Sequence, residues 1–136
     1  MRLLNEVQAI IDQYQLKPIE LPDGYSNVYN YLKDNPQEAI KFETKLDDHV
    51  LYQKYKKNIP RGWYGFAVGS PIIPEWLEII NEVLELCIKN DPDFEIHQIK
   101  LKFGGIRFYV ESLVIEDLDD IEWLIERDMN DKTFVY

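Results

Sequence analysis

The residues with the most chemical potential in this chain are carboxylates. Between residues 111 and 131 stand Glu111, Glu116, Asp117, Asp119, Asp120, Glu122, Glu126, Asp128 and Asp131, against one cation, Arg127. Such a density offers acid–base couples, oxygen ligands for a hard cation, or an electrostatic surface for a basic partner. Any two could be drawn as an acid–base couple, so the segment singles out none. Asp117-Leu-Asp-Asp lacks the glycine and the terminal glutamate of a calcium loop. Asp117, Asp119 and Asp120 fall in the first turn of a helix, where carboxylates complement the dipole. Read plainly, this is a solvated helix face. Read for function, Asp117, Asp119, Asp120, Glu122 and Glu126 are candidate contacts to a basic protein such as a nuclease. Asp47 and Asp48, beside Glu43, extend that surface if the fold brings them near.

Other chemistries have less to build on. His49 and His97 are too few for a zinc site without carboxylate help, and neither lies in a His-x-x-Glu or Glu-x-x-His pair, so no metal is expected. Ser26, Ser70 and Ser112 lack a Gly-x-Ser-x-Gly context. Cys87, the single cysteine, falls on the apolar side of a helical pattern, which makes it a buried small hydrophobe rather than a nucleophile. Gly62, Gly65 and Gly69 are not followed by Lys-Ser/Thr, so they form no phosphate loop. No cofactor and no enzymatic activity are expected.

Two further stretches suit contact rather than catalysis. Gln98-Ile-Lys-Leu-Lys-Phe-Gly-Gly-Ile-Arg-Phe-Tyr-Val-Glu111 reads as a β-hairpin turning at Gly104-Gly105, both at positive φ. That register sets Phe103 opposite Ile106, Leu101 opposite Phe108 and Ile99 opposite Val110 on one apolar face. The other face carries Lys100, Lys102, Arg107 and Tyr109, either paired with nearby acids or a patch for an acidic group. Trp63 and Tyr64, in a Gly-rich aromatic stretch, are of the types that anchor interfaces.

The bulk numbers narrow the class. The chain has 136 residues, 46% of them hydrophobic, which suits one domain spanning 1–136 with its own core. A formal charge of −10 argues against direct binding to nucleic acid. No apolar run reaches the length of a membrane span, and no signal peptide is visible, so a cytoplasmic protein is expected.

These residues need elements to hold them. Leu3, Leu4, Val7, Ile10, Ile11 and Tyr14 predict an amphipathic helix over 2–14. Pro18, Pro22 and Gly24 break the chain, and a short helix over 26–32 with Ser26 as cap follows. Asn35-Pro36 starts another. Residues 37–58 are either one long helix or two shorter ones. Trp63–Val68 suits a strand. Pro74 opens the strongest helix, Glu75–Asn90, with Trp76, Leu77, Ile80, Val83, Leu84, Cys87 and Ile88 on one face. After the hairpin, Leu118, Ile121, Leu124, Ile125 and Met129 make a last helix. The order predicts an α+β domain, helices packed on a small antiparallel sheet containing the 94–112 hairpin.

Trp76, Leu86, Cys87 and the hairpin residues Gln98–Lys100, Lys102–Gly105 and Ile106–Val110 carry a resemblance. This stretch resembles a family of small bacterial and phage-encoded proteins over residues 74 to about 128. The family brings no assigned function. Many of its members continue into a Cys-x-x-Cys tail like a zinc ribbon, which this chain lacks, so no zinc role carries over. The resemblance implies the fold of the second half and no catalytic residue.

Small, acidic, and without a catalytic signature, the chain reads as a protein-binding inhibitor. The expected type is an immunity protein neutralising a toxin by occluding a basic surface, with a phage-encoded inhibitor of a host defence enzyme as the alternative. A small-ligand-binding accessory protein, using the Gly-rich centre, is the other class.

Overall fold

The computed structural model describes residues 1–16, 20–26, 28–40, 45–69, 73–102 and 105–133. Six α-helices and three strands form an α+β domain in the order α1 (Leu4–Asp12), α2 (Val28–Asp34), α3 (Pro36–Ile40), α4 (Asp48–Tyr55), β1 (Gly65–Ala67), α5 (Glu75–Asn90), β2 (Glu95–Lys102), β3 (Gly105–Glu111), α6 (Leu118–Thr133). Pro36 opens α3, and α5 covers the expected span. The 37–58 region resolves into separate helices α3 and α4, because Asp47 caps a new start by accepting from the Val50 amide at 2.8 Å. Pro18, Glu43 and Ser70 lie outside the described residues.

The sheet is mixed, not antiparallel as expected. β2 is central, antiparallel to β3 and parallel to β1, with Phe66 opposite Ile99. The physical cause is α5. Parallel neighbours need a long crossover, and this 16-residue helix carries the chain back so that β1 and β2 run the same way.

The hairpin register also differs from expectation. Leu101 faces Ile106, Ile99 faces Phe108, and Ile96 faces Val110. Lys102 pairs with Gly105, so Gly105 belongs to the strand rather than to the turn as expected, and Phe103 and Gly104 lie outside the described residues. Because side chains repeat every two residues, moving each partner by two keeps Ile99, Leu101, Ile106, Phe108 and Val110 on the inward side. Ile96, Ile99, Ile106 and Phe108 are fully buried. Gly105 is not among the positive-φ glycines. It is glycine because Asn130 of α6 fills the place of a side chain: a Cβ there would stand 2.4 Å from Asn130 Nδ2.

The apolar face of the sheet shares one core with Val7 and Ile11 of α1, Leu51 of α4, Trp76, Leu77, Ile80, Val83, Leu84 and Cys87 of α5, and Ile121, Ile125 and Met129 of α6. The first turn of α1 has no local cap. Its Leu3 and Leu4 amides instead donate to the buried Asp117 carboxylate at 2.9–3.2 Å, across 113 and 114 residues of chain. Burial alone would push this carboxyl up, but the Leu3 and Leu4 hydrogen bonds and the Arg2 charge hold it below the usual aspartate range.

Replacing Asp117 with alanine therefore leaves the buried Leu3 amide and the half-buried Leu4 amide without their acceptor and should lower the unfolding free energy by about 2–4 kcal/mol in urea titration. Because the folded carboxyl is the stronger acid, its contribution is complete above about pH 3.9 and is lost as pH falls through the folded value. Asp117→Asn should accordingly flatten the acid limb of the stability curve. Gly105→Ala should cost about 1–2 kcal/mol by overpacking against Asn130. Asn130→Ala in the same chain should restore most of that loss in the same titration.

Candidate functional site on the open face of the sheet

The site begins with one extra residue. Glu95 pairs with Glu111 and Ile96 with Val110, but the next pairing is Gln98 with Tyr109, which leaves His97 as a β-bulge. In a regular strand, adjacent residues point to opposite faces. Here His97 and Gln98 both line one pocket, while Ile96 and Ile99 both stay in the core. The bulge thus brings two consecutive polar side chains to the open face without disturbing the apolar one.

Aromatic rings wall the pocket. Trp63, just before β1, stacks on His97 with ring centroids 4.4 Å apart and planes 3° apart. Tyr109 stands on the other side, on β3, with Lys100 Nζ 5.6 Å from its ring centroid. Trp63 is 48% exposed and Tyr109 41%, so both remain partly open to solvent. The cavity they bound, with Val110 and Glu122, measures about 430 Å³.

Glu122 sits on the rim and accepts from the Val110 amide at 3.3 Å. Its carboxyl is raised, first by burial and then by the neighbouring charges of Asp119 and Glu126, against the opposing pull of the Val110 amide and His97. Four residues on, Glu126 accepts from the Phe108 amide at 2.9 Å.

On the far side of His97 a second cleft of about 420 Å³ is lined by Asp91, Asp93, Glu95, Glu111, Ser112, Leu113 and Val114. His97 Nε2 lies 3.2 Å from Glu95 Oε1 and 3.5 Å from Glu111 Oε2, so the imidazole bridges the wall between the two cavities.

The structure divides the candidates read from the sequence. Asp117 is buried under α1, and Glu122 and Glu126 are bound to β3, so three of the five proposed acidic contacts hold backbone amides. Asp119 and Asp120 remain exposed. Asp48 also binds backbone, accepting from Val68 at 3.0 Å and Gly69 at 2.8 Å. Trp63 and Tyr109 meet at the pocket, while Tyr64, 75% exposed, is not among its lining residues. Lys100 pairs directly with Arg107, and Lys102 is exposed at the end of β2. Of the central glycines, Gly65 (φ 75°) gives room to the Ile59 side chain, so its close approach belongs to the protein itself.

Sequence reasoning missed Glu95, His97 and Gln98 as a group. Glu95-x-His97 has the two-residue spacing that shares a strand face, but Gln98 joins only through the bulge, which has no signature here. Cys87 is fully buried, and its thiol is pushed up to about 12 by burial, then by the charges of Asp117 and Asp91, as suits a core residue. No family model, curated protein or solved structure matches this chain.

Glu122 gives a pH test with the opposite sign to that of Asp117. A carboxyl raised by folding favours its protonated form, so its contribution is present below the unfolded glutamate range and is lost as pH rises through the folded value. Glu122→Gln should be at least as stable as wild type at pH 7 by thermal melting. Relative to wild type, the variant should lose ground as the pH is lowered through the folded value, with no further change below about 4.3.

Proposed function

We propose that this chain is a protein-binding inhibitor that neutralises a basic protein, a toxin such as a nuclease or a defence enzyme, by covering its cationic surface. The observation that carries the reading is the pocket lined by Trp63 and Tyr109, two partly exposed rings, together with His97, Gln98 and the Glu122 carboxylate. Trp and Tyr are frequent anchors of interfaces, and aromatic faces beside carboxylates accept Arg and Lys side chains. Glu95 and Glu111 extend the negative field from the adjoining cleft.

The net charge of −10 adds long-range attraction for such a partner and speeds its association. Occlusion requires no chemistry from the inhibitor, which agrees with a burial that keeps the Cys87 thiol protonated. Among the described residues, no helix is long and apolar enough to cross a membrane. The inhibitor would meet its partner in the cytoplasm.

A second reading has its own support. A cavity of about 430 Å³ falls within the size range of small-molecule sites, and an aromatic-walled pocket suits a flat ligand.

Capture from native host lysate separates the two, with neighbouring genes co-expressed and salt raised during elution. Wild type should retain one basic protein and release it as salt screens the contact. Trp63→Ala/Tyr109→Ala should bind the same protein at least about 30-fold more weakly, the loss of a hot spot of roughly 2 kcal/mol. Capture that is equal in the variant, or indifferent to salt, would overturn the inhibitor reading. No retained protein, together with a small molecule co-purifying with wild type alone, would establish the second.

A further inference from the structure

We propose that Glu95, His97 and Glu111 form a binding site for a divalent transition-metal ion, zinc by its ligand chemistry. Their carboxylate oxygens and imidazole nitrogen all lie within 4.8 Å of one another. The two edges that meet at His97 Nε2 measure 3.2 and 3.5 Å. Donors held tetrahedrally at about 2.0–2.1 Å from zinc stand about 3.3–3.4 Å apart, so these edges already have the right length. The third edge joins two carboxylates that are 47% and 61% exposed, whose side chains are free to close on an ion.

Further features point the same way. Glu95 and Glu111 are direct cross-strand partners, and like charges so placed repel unless a cation lies between them. Among the described residues, the ion pairs of both are with His97, and neither is matched by Lys or Arg. The His97 ring is held flat against Trp63, which fixes its plane as a preorganised ligand requires. Asp91 and Asp93, lining the same cleft as the two glutamates, add negative potential on the approach.

One imidazole and two carboxylates suit zinc better than magnesium or calcium, which take oxygen ligands. Three protein ligands leave the fourth position open toward the flanking clefts, for water or a donor atom from another molecule. The site shares His97, Glu95 and Glu111 with the inhibitor reading but does not rest on it, because metal binding is measured on the protein alone.

Calorimetric titration of the metal-free full chain with zinc chloride tests it. Wild type should take up one zinc per chain. Glu95→Gln, Glu111→Gln and His97→Ala should each weaken uptake at least about tenfold. His49→Ala, at the other histidine, should bind as wild type does. Cobalt in place of zinc should show the strong visible absorption of a four-coordinate ion, and the glutamine variants should lose it. Because Glu95 and Glu111 are surface positions whose replacement relieves repulsion, their variants should fold normally, which circular dichroism checks. Absence of zinc uptake by wild type would overturn the proposal, as would wild-type affinity in any of the three site variants.

Discussion

The fold depends on carboxylates that satisfy backbone amides. A three-stranded sheet has two open edges, and every helix start exposes amides of its own; unpaired and buried, each is costly. On the β3 side, Glu122 and Glu126 of α6 take the amides of Val110 and Phe108. The match is geometric. Four residues of helix rise about 6.0 Å, and two residues of strand about 6.8 Å, so one helix face can serve alternate amides of an edge strand. Asn130, four residues further along α6, continues the line and meets Gly105, where the strand carries no side chain to obstruct it. Just past β1, Asp48 takes two amides, and Asp117 takes those at the start of α1.

That constraint changes the meaning of the acidic composition. A charge of −10 suggests a surface made to attract cations, yet Asp47, Asp48, Asp117, Glu122 and Glu126 all accept from main-chain N–H groups. Charge-assisted bonds of this kind are stronger than neutral ones, which is a structural reason for a small domain to carry so many carboxylates. The acids left to act on other molecules include Asp119 and Asp120 on α6 and the pair Glu95–Glu111 at the end of the hairpin. The carboxylates free to attract a cation are therefore fewer than the composition implies.

The two faces of the hairpin divide the remaining work. Ile96, Ile99, Ile106 and Phe108 bind the sheet to α5 and its neighbours, while Trp63, His97, Gln98 and Tyr109 make a walled pocket on the opposite side. A rigid core beneath a pocket keeps its rings in place at little further cost in ordering, which favours binding of any kind. The bulge at His97 joins the two roles, because it alone lets neighbouring residues of β2 serve the pocket together.

Much of this was legible in the sequence, and the boundary is physical. Helical periodicity determined α1, α5 and α6, and strict alternation determined which hairpin residues face the core, because both are properties of a few adjacent residues. Alternation also survived the wrong register, since a shift by two preserves the faces. What the sequence could not decide were relations between distant segments. The direction of β1 depended on where α5 returned the chain. Gly105 joined β3 rather than the turn, where it accommodates Asn130. The roles of Asp117, Glu122 and Glu126 depended on which amides lay beside them after folding, and the meeting of Glu95, His97 and Glu111 depended on a bulge. A carboxylate reads the same in sequence whether it faces water, an amide or a cation; only the packed chain supplies the neighbour that distinguishes them.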